Sequence, residues 1–206
     1  MVAIIDYDAG NIKSVEKALL SLGEEAVVTR ERERILSADR IILPGVGSFG
    51  EAMNKIRAYE LEEVIKEAIA DKIPFLGICL GLQLLFQRSE ESEGISGLGI
   101  LEGEIVKIPP KEGLKVPQIG WNSLNYPNKG RLFEGIAENS YVYFVHSYYL
   151  KASKESIVTA TAEYSRQLHV AVEKDNVFAC QFHPEKSSDI GLRILNNFIH
   201  IQKEGK

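Results

Sequence analysis

A Gly-x-Cys-x-Gly turn is the part of this sequence whose residue types and spacing point most directly to chemistry. Cys79 lies between Gly77 and Gly81, after the apolar run Phe75 to Ile78 and before a helical pattern from Leu80 to Phe86. A strand that turns so sharply into a helix holds its central residue in a strained backbone conformation and exposes the side chain. The glycines remove Cβ atoms that would collide. A thiol at a helix N-terminus favours thiolate, so Cys79 is predicted to be a covalent nucleophile rather than a buried apolar residue.

A cysteine nucleophile requires a base, and the segment His183-Pro184-Glu185 offers one. Pro184 favours an extended conformation at His183, and in an extended segment residues i and i+2 point to the same side. We therefore expect His183 and Glu185 to project together. The carboxylate would then hold the imidazole in the tautomer that accepts the thiol proton.

The other histidines and the second cysteine are weaker candidates. His146 follows an apolar strand, where it either lines the pocket or packs at the strand end. His169 and His200 are expected to be structural or exposed, and Cys180 to be a core residue. No His and Cys pair has the spacing of metal ligands, so we expect neither a metal nor a cofactor.

An acyl intermediate also needs N–H donors for its oxyanion. The backbone N–H of Leu80, directly after the nucleophile, is one candidate. The turn formed by Gly45, Val46 and Gly47 can supply a second, because glycines let backbone amides turn inward. Phosphate binding is the competing interpretation of this turn, but the Gly-x-x-x-x-Gly-Lys-Ser/Thr pattern is missing, so an oxyanion site is favoured.

Strands and helices alternate around these two turns in about the first ninety residues. The predicted strands are Val2 to Asp6, Ala26 to Thr29, Arg40 to Leu43 and Phe75 to Ile78, and the predicted helices are Asn11 to Leu22, Glu51 to Arg57, Glu60 to Ala70 and Leu80 to Phe86. This alternation is typical of a parallel sheet with helices on both faces. Ligands of such sheets bind at the carboxyl ends of the strands, where both glycine turns fall.

The second half of the chain has a different pattern, of antiparallel strands followed by a closing helix. The predicted strands are Tyr141 to His146, Ile157 to Ala162, His169 to Val172 and Val177 to Phe182, and the helix runs from Ser187 to Gln202. No repeat, low-complexity segment or linker interrupts the sequence. We therefore predict one α/β domain over residues 1–206, with a mostly parallel central sheet flanked by helices and an additional mixed or antiparallel section.

Composition argues against several classes of function. The 206 residues are 45% hydrophobic and 26% charged, and the net charge of −5 gives no basic excess for binding nucleic acid. The N-terminal apolar run meets Asp6 at once, which indicates a strand rather than a signal peptide, and no stretch approaches the about 20 apolar residues of a membrane span. Two cysteines do not suggest a disulfide framework, so we expect a reducing, cytoplasmic location.

The cysteine turn and the His-Pro-Glu segment together resemble the motifs of class I (triad) glutamine amidotransferases. Five blocks, spread in order over nearly the whole chain, are similar to the glutaminase subunits of imidazole glycerol phosphate synthases in particular: Asp6 to Asn11, Pro44 to Phe49, Gln118 to Asn122, Val145 to Tyr149 and Phe182 to Ser187. One departure is Gln118-Ile119, where these subunits often carry His-Met, and it leaves the chemistry untouched.

The resemblance implies a triad of Cys79, His183 and Glu185 that hydrolyses glutamine to glutamate and ammonia through a cysteine thioester. It implies a glutamine pocket formed by Gln83, Glu91, Ser147 and Tyr148. It also implies a heterodimer with a synthase (cyclase) subunit, a (β/α)8 barrel that uses the ammonia to make imidazole glycerol phosphate and an aminoimidazole ribotide in histidine biosynthesis. We expect the partner face to include Asn11, Lys13, Trp121, Asn122 and Lys186.

Three other functions stay open at this point. The chain could supply ammonia to another synthase, such as anthranilate synthase or that of the pyridoxal phosphate pathway, although the opening Asp6 to Asn11 and the pair Lys186-Ser187 argue against it. It could be a cysteine hydrolase that acts alone, such as a γ-glutamyl peptidase. Finally, it could be a binding module with a degenerate site, which the intact Cys79, His183 and Glu185 set disfavours.

Overall fold

One ten-stranded mixed sheet organises the computed structural model of this chain, which describes residues 1–128 and 130–202. Residues 129 and 203–206, which belong to the predicted domain, lie outside the described residues. The strands are β1 (Val2–Ile5), β2 (Ala26–Thr29), β3 (Arg40–Leu43), β4 (Phe75–Ile78), β5 (Arg88–Ser89), β6 (Gly103–Lys107), β7 (Gln118–Ser123), β8 (Tyr141–His146), β9 (Tyr148–Ala152), β10 (Val158–Glu163), β11 (Gln167–Lys174) and β12 (Val177–Cys180). The helices are α1 (Ile12–Ser21), α2 (Arg32–Leu36), α3 (Phe49–Ala58), α4 (Leu61–Ala70), α5 (Leu80–Leu84) and α6 (Ser188–His200).

Half of the large sheet is parallel and carries the chemistry-bearing turns at its carboxyl edge. Its strand order is β2-β1-β3-β4-β12, and every neighbouring pair in this series is parallel. Beyond β12 the neighbours β11, β9 and β6 pair antiparallel, and β10 joins the side of β11. The predicted fold class, a mainly parallel sheet flanked by helices with a mixed section, is confirmed.

The direction of β12 differs from the prediction. The segment Val177 to Phe182 was expected among antiparallel strands, but β12 ends at Cys180 and runs parallel to β4, with Cys180 opposite Ile78. Only its other neighbour, β11, is antiparallel. A strand that is buried on both faces has a continuous apolar sequence whether its neighbour is parallel or antiparallel. The sequence pattern therefore does not predict the direction of β12 relative to its neighbours. This direction matters for function. Because β4 and β12 are parallel, Cys79 after β4 and His183 after β12 lie at the same edge of the sheet.

Both faces of the parallel half are buried, which explains the uninterrupted apolar character of its strands. Val2 and Ile4 of β1 pack with α1 and α6 in one core, whereas Ala3 and Ile5 pack with α3 and α4 in the other. All four side chains are fully buried. Successive strand residues point to opposite faces, so helices on both sides require apolar residues at every position. Burial of apolar side chains on both faces therefore holds these strands in place, and with them the edge of the sheet at which the site lies.

A separate two-stranded antiparallel sheet, β7 with β8, lies beside the large sheet. Gln118 is paired with His146 at one end of it, and Trp121 with Tyr143 near its middle. Observed helix bounds lie within two residues of the predicted ones, whereas α2, β5, β6 and β9 were not predicted. Within residues 1–128 and 130–202, no helix is both long and apolar enough to cross a membrane.

Candidate active site

The turn between β4 and α5 holds Cys79 in the strained conformation that its glycines suggested. Its backbone angles are φ 55° and ψ −109°, a combination that a residue with a side chain rarely adopts. A Cβ atom on Gly81 would lie 1.9 Å from the carbonyl oxygen of Leu43, and one on Gly77 would lie 2.7 Å from the carbonyl oxygen of Gly81. Both glycines are thus required by close backbone approach. The Cys79 N–H donates to the carbonyl of Cys180 at 2.8 Å, which ties the turn to β12.

His183 and Glu185 do project together, but by a different backbone route from the expected one. His183 is extended, with φ −101° and ψ 96°, whereas residues Pro184–Lys186 form a 3-10 turn. The expectation of one extended segment was therefore wrong, because Pro184 also suits the first position of a helical turn. The turn carries Glu185 back towards the imidazole, and Glu185 Oε1 lies 2.7 Å from His183 Nδ1. Both side chains are buried.

The thiol and the imidazole meet in one cavity of about 350 Å³. Its lining consists of Val46, Gly47, Cys79, Leu80, Gln83, Glu91, Pro117, Val145, His146, Ser147, Tyr148 and His183. Every residue expected in the glutamine pocket is among them. His183 Nε2 is buried and has no hydrogen-bond partner among the described residues, so this nitrogen remains available for proton exchange at the cavity.

The charges around His183 favour its protonated form. Burial alone would lower the pKa of His183, but the interactions with Cys79 and Glu185 outweigh it and raise this pKa to about 9. A protonated imidazole at the cavity holds a proton that it can give to a leaving group. In contrast, burial, reinforced by Glu185 and Cys79, raises the pKa of the Cys180 thiol, so this cysteine stays protonated in the core.

In the turn after β3, a backbone carbonyl accepts a hydrogen bond from one of the N–H groups expected to bind the oxyanion. The N–H of Leu80 donates to the carbonyl of Gly45 at 3.3 Å. Gly45 therefore presents a hydrogen-bond acceptor, and not a donor, to the turn at Cys79. The hydroxyl of Tyr7 donates to the Pro44 carbonyl at 2.9 Å and holds the start of this turn. Val46 and Gly47 are exposed at the cavity. An oxyanion site at Leu80 consequently requires the Gly45 carbonyl to turn away.

Two of the expected pocket residues have partners within the protein. The amide of Gln83 donates to the Tyr148 carbonyl at 3.2 Å and to Gln181 Oε1 at 3.0 Å. Glu91 Oε2 accepts the backbone N–H of Phe49 at 2.7 Å, at the first residue of α3. Negative charge at a helix N-terminus is favourable, so Glu91 fixes the helix that directly follows the oxyanion turn. The side chain that lines the cavity thus also orients the backbone next to it.

His146 both lines the cavity and braces the end of β8. Its Nδ1 lies 2.8 Å from the Tyr148 carbonyl oxygen, and its Nε2 lies 3.0 Å from Gln118 Oε1. Burial lowers the pKa of His146 to about 4, against the effect of the Tyr148 carbonyl and with a contribution from His183. The ring is neutral at pH 7, and its Nδ1–H donates to the Tyr148 carbonyl.

Asn11, expected on the partner face, contacts Glu185 and lies close to His183. Its Nδ2 donates to Glu185 Oε1 at 2.5 Å and lies 3.5 Å from His183 Nδ1. Asn11 has a left-handed backbone, with φ 71°, directly before α1. Asparagine adopts this conformation more readily than most residues, and the pair Gly10-Asn11 was the only signal for such a turn in the sequence. Its interface role stays a prediction.

Of the other four residues expected at the partner face, Lys186 directly follows Glu185, and its backbone N–H donates to the His183 carbonyl at 3.0 Å. Lys13 and Lys186 are exposed, and Trp121 is 52% exposed. The Asn122 amide donates to the Glu163 carbonyl at 2.8 Å.

Gln181 is a contact of Cys79 that the sequence analysis missed. Its side chain is fully buried, and Nε2 lies 3.7 Å from Cys79 Sγ. The available signal was its position two residues before His183, at the end of an apolar strand. As for metals, no group of three or more His, Cys, Asp or Glu side chains could hold an ion in the part of the chain that the structure describes.

Comparison with known proteins agrees with this geometry. The family model "Glutamine amidotransferase class-I" matches residues 3–201. The imidazole glycerol phosphate synthase subunit HisH of Methanocaldococcus jannaschii is 49% identical over 98% of this chain and 100% of that protein, and the HisH subunit of Bacillus cereus is 50% identical over 96% and 93%. A crystal structure described as glutamine amidotransferase has a TM-score of 0.74 at 22% identity, covering 96% of this chain and 99% of the other, which supports the fold. The chain therefore belongs to the class I glutamine amidotransferase family and, within it, to the HisH subunits of imidazole glycerol phosphate synthase.

Proposed function

We propose that this chain is the glutaminase subunit of an imidazole glycerol phosphate synthase and forms its thioester on Cys79. The observation that carries the proposal is the meeting of Cys79 with the His183–Glu185 pair at one cavity, although more than a hundred residues separate them. The kinship with HisH subunits supports glutamine as the substrate and histidine biosynthesis as the pathway.

The reaction follows from the positions of the three side chains. Cys79 attacks the side-chain amide carbon of glutamine as its thiol proton passes to His183, and His183 gives that proton to the ammonia that departs when the C–N bond breaks. Water then attacks the thioester while His183 takes up one of its protons, and glutamate leaves as the Cys79 sulfur is released. Glu185, which lies 2.7 Å from Nδ1, holds the imidazole in place throughout. Gln83, Glu91, Ser147 and Tyr148 bind the amino-acid end of the substrate.

The isolated chain is in a resting state because its oxyanion site is not free. The Leu80 N–H is engaged with the Gly45 carbonyl at 3.3 Å, so the tetrahedral intermediate would lack this donor. Loss of one oxyanion donor costs about 10²–10³-fold in turnover. We infer that binding of the synthase subunit and its nucleotide ligand turns the Gly45-Val46-Gly47 segment and switches the glutaminase on.

The partner is a synthase subunit with a (β/α)8 barrel, which forms a heterodimer with this chain and receives the ammonia. It converts the ammonia and a nucleotide-derived substrate into imidazole glycerol phosphate and an aminoimidazole ribotide. Asn11, Lys13, Trp121, Asn122 and Lys186 are the residues that we assign to the contact. The reactive thiol of Cys79 requires a reducing compartment, which supports work in the cytoplasm.

Glutamate release from glutamine tests the proposal, measured with and without the synthase subunit and its nucleotide ligand. We expect the complete mixture to exceed the chain alone by about 10²-fold or more. In the complete mixture, Cys79→Ala should lose on the order of 10³-fold or more, because no other group can form the thioester. Cys180→Ala is the matched control and should keep its turnover, since this thiol is buried in the core.

Two outcomes would contradict the proposal and point to the alternatives. Glutamine-dependent activity that survives Cys79→Ala would indicate a degenerate site. Equal turnover by the chain alone and by the complex would indicate a hydrolase that acts without a partner. Complex formation with the synthase of another pathway, and not with the histidine enzyme, would reassign the subunit.

A further inference from the structure

The Gln181 side chain contacts the nucleophilic sulfur of Cys79 directly. Gln181 is fully buried, and its Nε2 lies 3.7 Å from Cys79 Sγ. It directly follows the last residue of β12, and its backbone N–H donates to the Val170 carbonyl at 2.8 Å. The Gln181 backbone is therefore fixed by the sheet rather than by a loop.

The direction of the Gln181 amide is determined by its neighbours. Gln83 Nε2 lies 3.2 Å from the carbonyl oxygen of Tyr148 and 3.0 Å from Gln181 Oε1. A backbone carbonyl can only accept a hydrogen bond, so the Gln83 atom that faces it must be the amide nitrogen. That same nitrogen must then meet the carbonyl oxygen of Gln181. The amide nitrogen of Gln181 is left to face Cys79, and the sulfur receives an N–H donor.

We propose that Gln181 is a further catalytic residue, whose side-chain N–H donates to Cys79 Sγ and stabilises the thiolate. The inference rests on the proposed glutaminase function and assigns a role at the same site. A buried thiolate lacks the water that would solvate it, and a hydrogen bond to the charged form restores part of that solvation.

The neutral amide complements the charged imidazole. His183 changes its protonation state during each turnover, whereas the Gln181 N–H remains a donor throughout. It therefore assists the sulfur twice, before attack and again when the C–S bond of the thioester breaks and the sulfur leaves with the electron pair. The relay from Tyr148 through Gln83 also links the glutamine pocket to this donor.

The test is the rate at which iodoacetamide alkylates Cys79 as a function of pH, with the labelled cysteine located by mass spectrometry. Gln181→Met removes the donor at similar side-chain volume, and Gln181→Glu places an acceptor against the sulfur. Only the thiolate reacts, so the rate follows ionisation of the thiol. For Gln181→Met we expect the midpoint to rise by about one pH unit, which gives about tenfold slower alkylation below both midpoints and no difference above them. Gln181→Glu should move the midpoint further in the same direction.

Asn176→Leu is the matched control for a general loss of packing. The Asn176 amide is also buried and donates to the Ile69 and Ile73 carbonyls, but it precedes the opposite end of β12. This variant should lower the unfolding temperature and leave the alkylation midpoint unchanged. In the complex with the synthase subunit, Gln181→Met should reduce kcat by a larger factor than it changes KM, because it removes the donor to the sulfur and also the acceptor of Gln83.

An alkylation midpoint that stays at the wild-type value in both Gln181 variants would overturn the inference, as would an equal shift in Asn176→Leu. Should the methionine variant not fold, Gln181→Asn retains a buried amide but withdraws it from the sulfur, and the same upward shift is expected. An unshifted midpoint together with Cys79-dependent turnover rejects the role of Gln181 alone. Turnover that does not depend on Cys79 rejects the proposed function itself.

Discussion

At the residue scale, the site depends on neutral amides as much as on its ionisable side chains. Asn11 donates to Glu185 Oε1, and Gln181 contacts Cys79 Sγ. Each amide supplies a hydrogen-bond donor to a side chain that is removed from water, where an unpaired polar group is costly. The Glu185 side chain in particular is fully buried, and its Oε2 has no hydrogen-bond partner among the described residues. The hydrogen bonds at Oε1 therefore determine the orientation of the Glu185 carboxylate.

The Asn11 contact yields a prediction for catalysis. In Asn11→Asp a second carboxylate would face Glu185, and the N–H donor would be lost. A hydrogen bond to a charged group is worth about 1.5–3 kcal/mol, so we expect kcat to fall by about tenfold or more. KM should change little, because Asn11 does not line the cavity. The measurement is glutamate release at saturating synthase subunit, which separates this effect from weaker association.

Lys17→Ala provides the control for this prediction, because Lys17 is exposed on the same helix. It should leave kcat unchanged. If Asn11→Asp also turned over at the wild-type rate with the partner saturating, Asn11 would have no part in orienting Glu185.

At the element scale, the buried His146 holds one end of the two-stranded ribbon formed by β7 and β8 in place. Neutral His146 links the Gln118 side chain of β7 to the Tyr148 carbonyl after β8. Its protonation would place a charge where the side chain is 6% exposed, next to His183. The folded protein resists that protonation, and the unfolded chain does not.

His146 therefore makes stability depend on pH on the acid side. Its pKa is lowered from 6.5 to about 4, so its contribution is complete above pH 6.5 and is lost as the pH falls towards 4. The unfolded chain binds the proton first in this window, and the loss reaches about 3 kcal/mol. The difference in unfolding free energy between wild type and His146→Gln, measured by urea denaturation at several pH values, should change by this amount. Carboxylates and His169 titrate in both proteins and cancel in the difference, so a pH-independent difference would refute the assignment.

The elements show how much of this molecule its sequence predicts. Helices α1, α3, α4 and α5 and the turn at Cys79 follow from periodicity and glycine spacing, which are local properties. The parallel direction of β12 is not local, because it depends on which strand lies next to it. The strand β9 was missed since it follows β8 after the single residue Ser147. Gln181 was missed for a related reason, as its contact with Cys79 exists only once β4 and β12 are neighbours.

At the scale of the whole molecule, one apolar surface extends to the mouth of the cavity. Ile119 and Trp121 of β7 are 63% and 52% exposed, and Tyr141 of β8 is 58% exposed. Paired residues on a ribbon share a face, and the opposite face, with Val142 and Phe144, is buried. Val145 continues the exposed side and lines the cavity. A partner that binds to this surface would cover the apolar side chains of β7 and β8 and would also shield the ammonia from solvent.

Trp121→Ala tests this surface as the docking site of the synthase subunit. A central aromatic residue at an interface commonly contributes about 2 kcal/mol or more, so we expect Kd for the partner to rise by more than about tenfold. The unfolding temperature of the isolated chain should change little, because about half of the side chain is already in solvent. Leu20→Ala is the matched control, since Leu20 is 57% exposed on α1 and belongs to no apolar ribbon. Titration calorimetry of each variant with the synthase subunit measures the effect; an unchanged Kd for Trp121→Ala, or an equal loss in Leu20→Ala, would place the partner on another face.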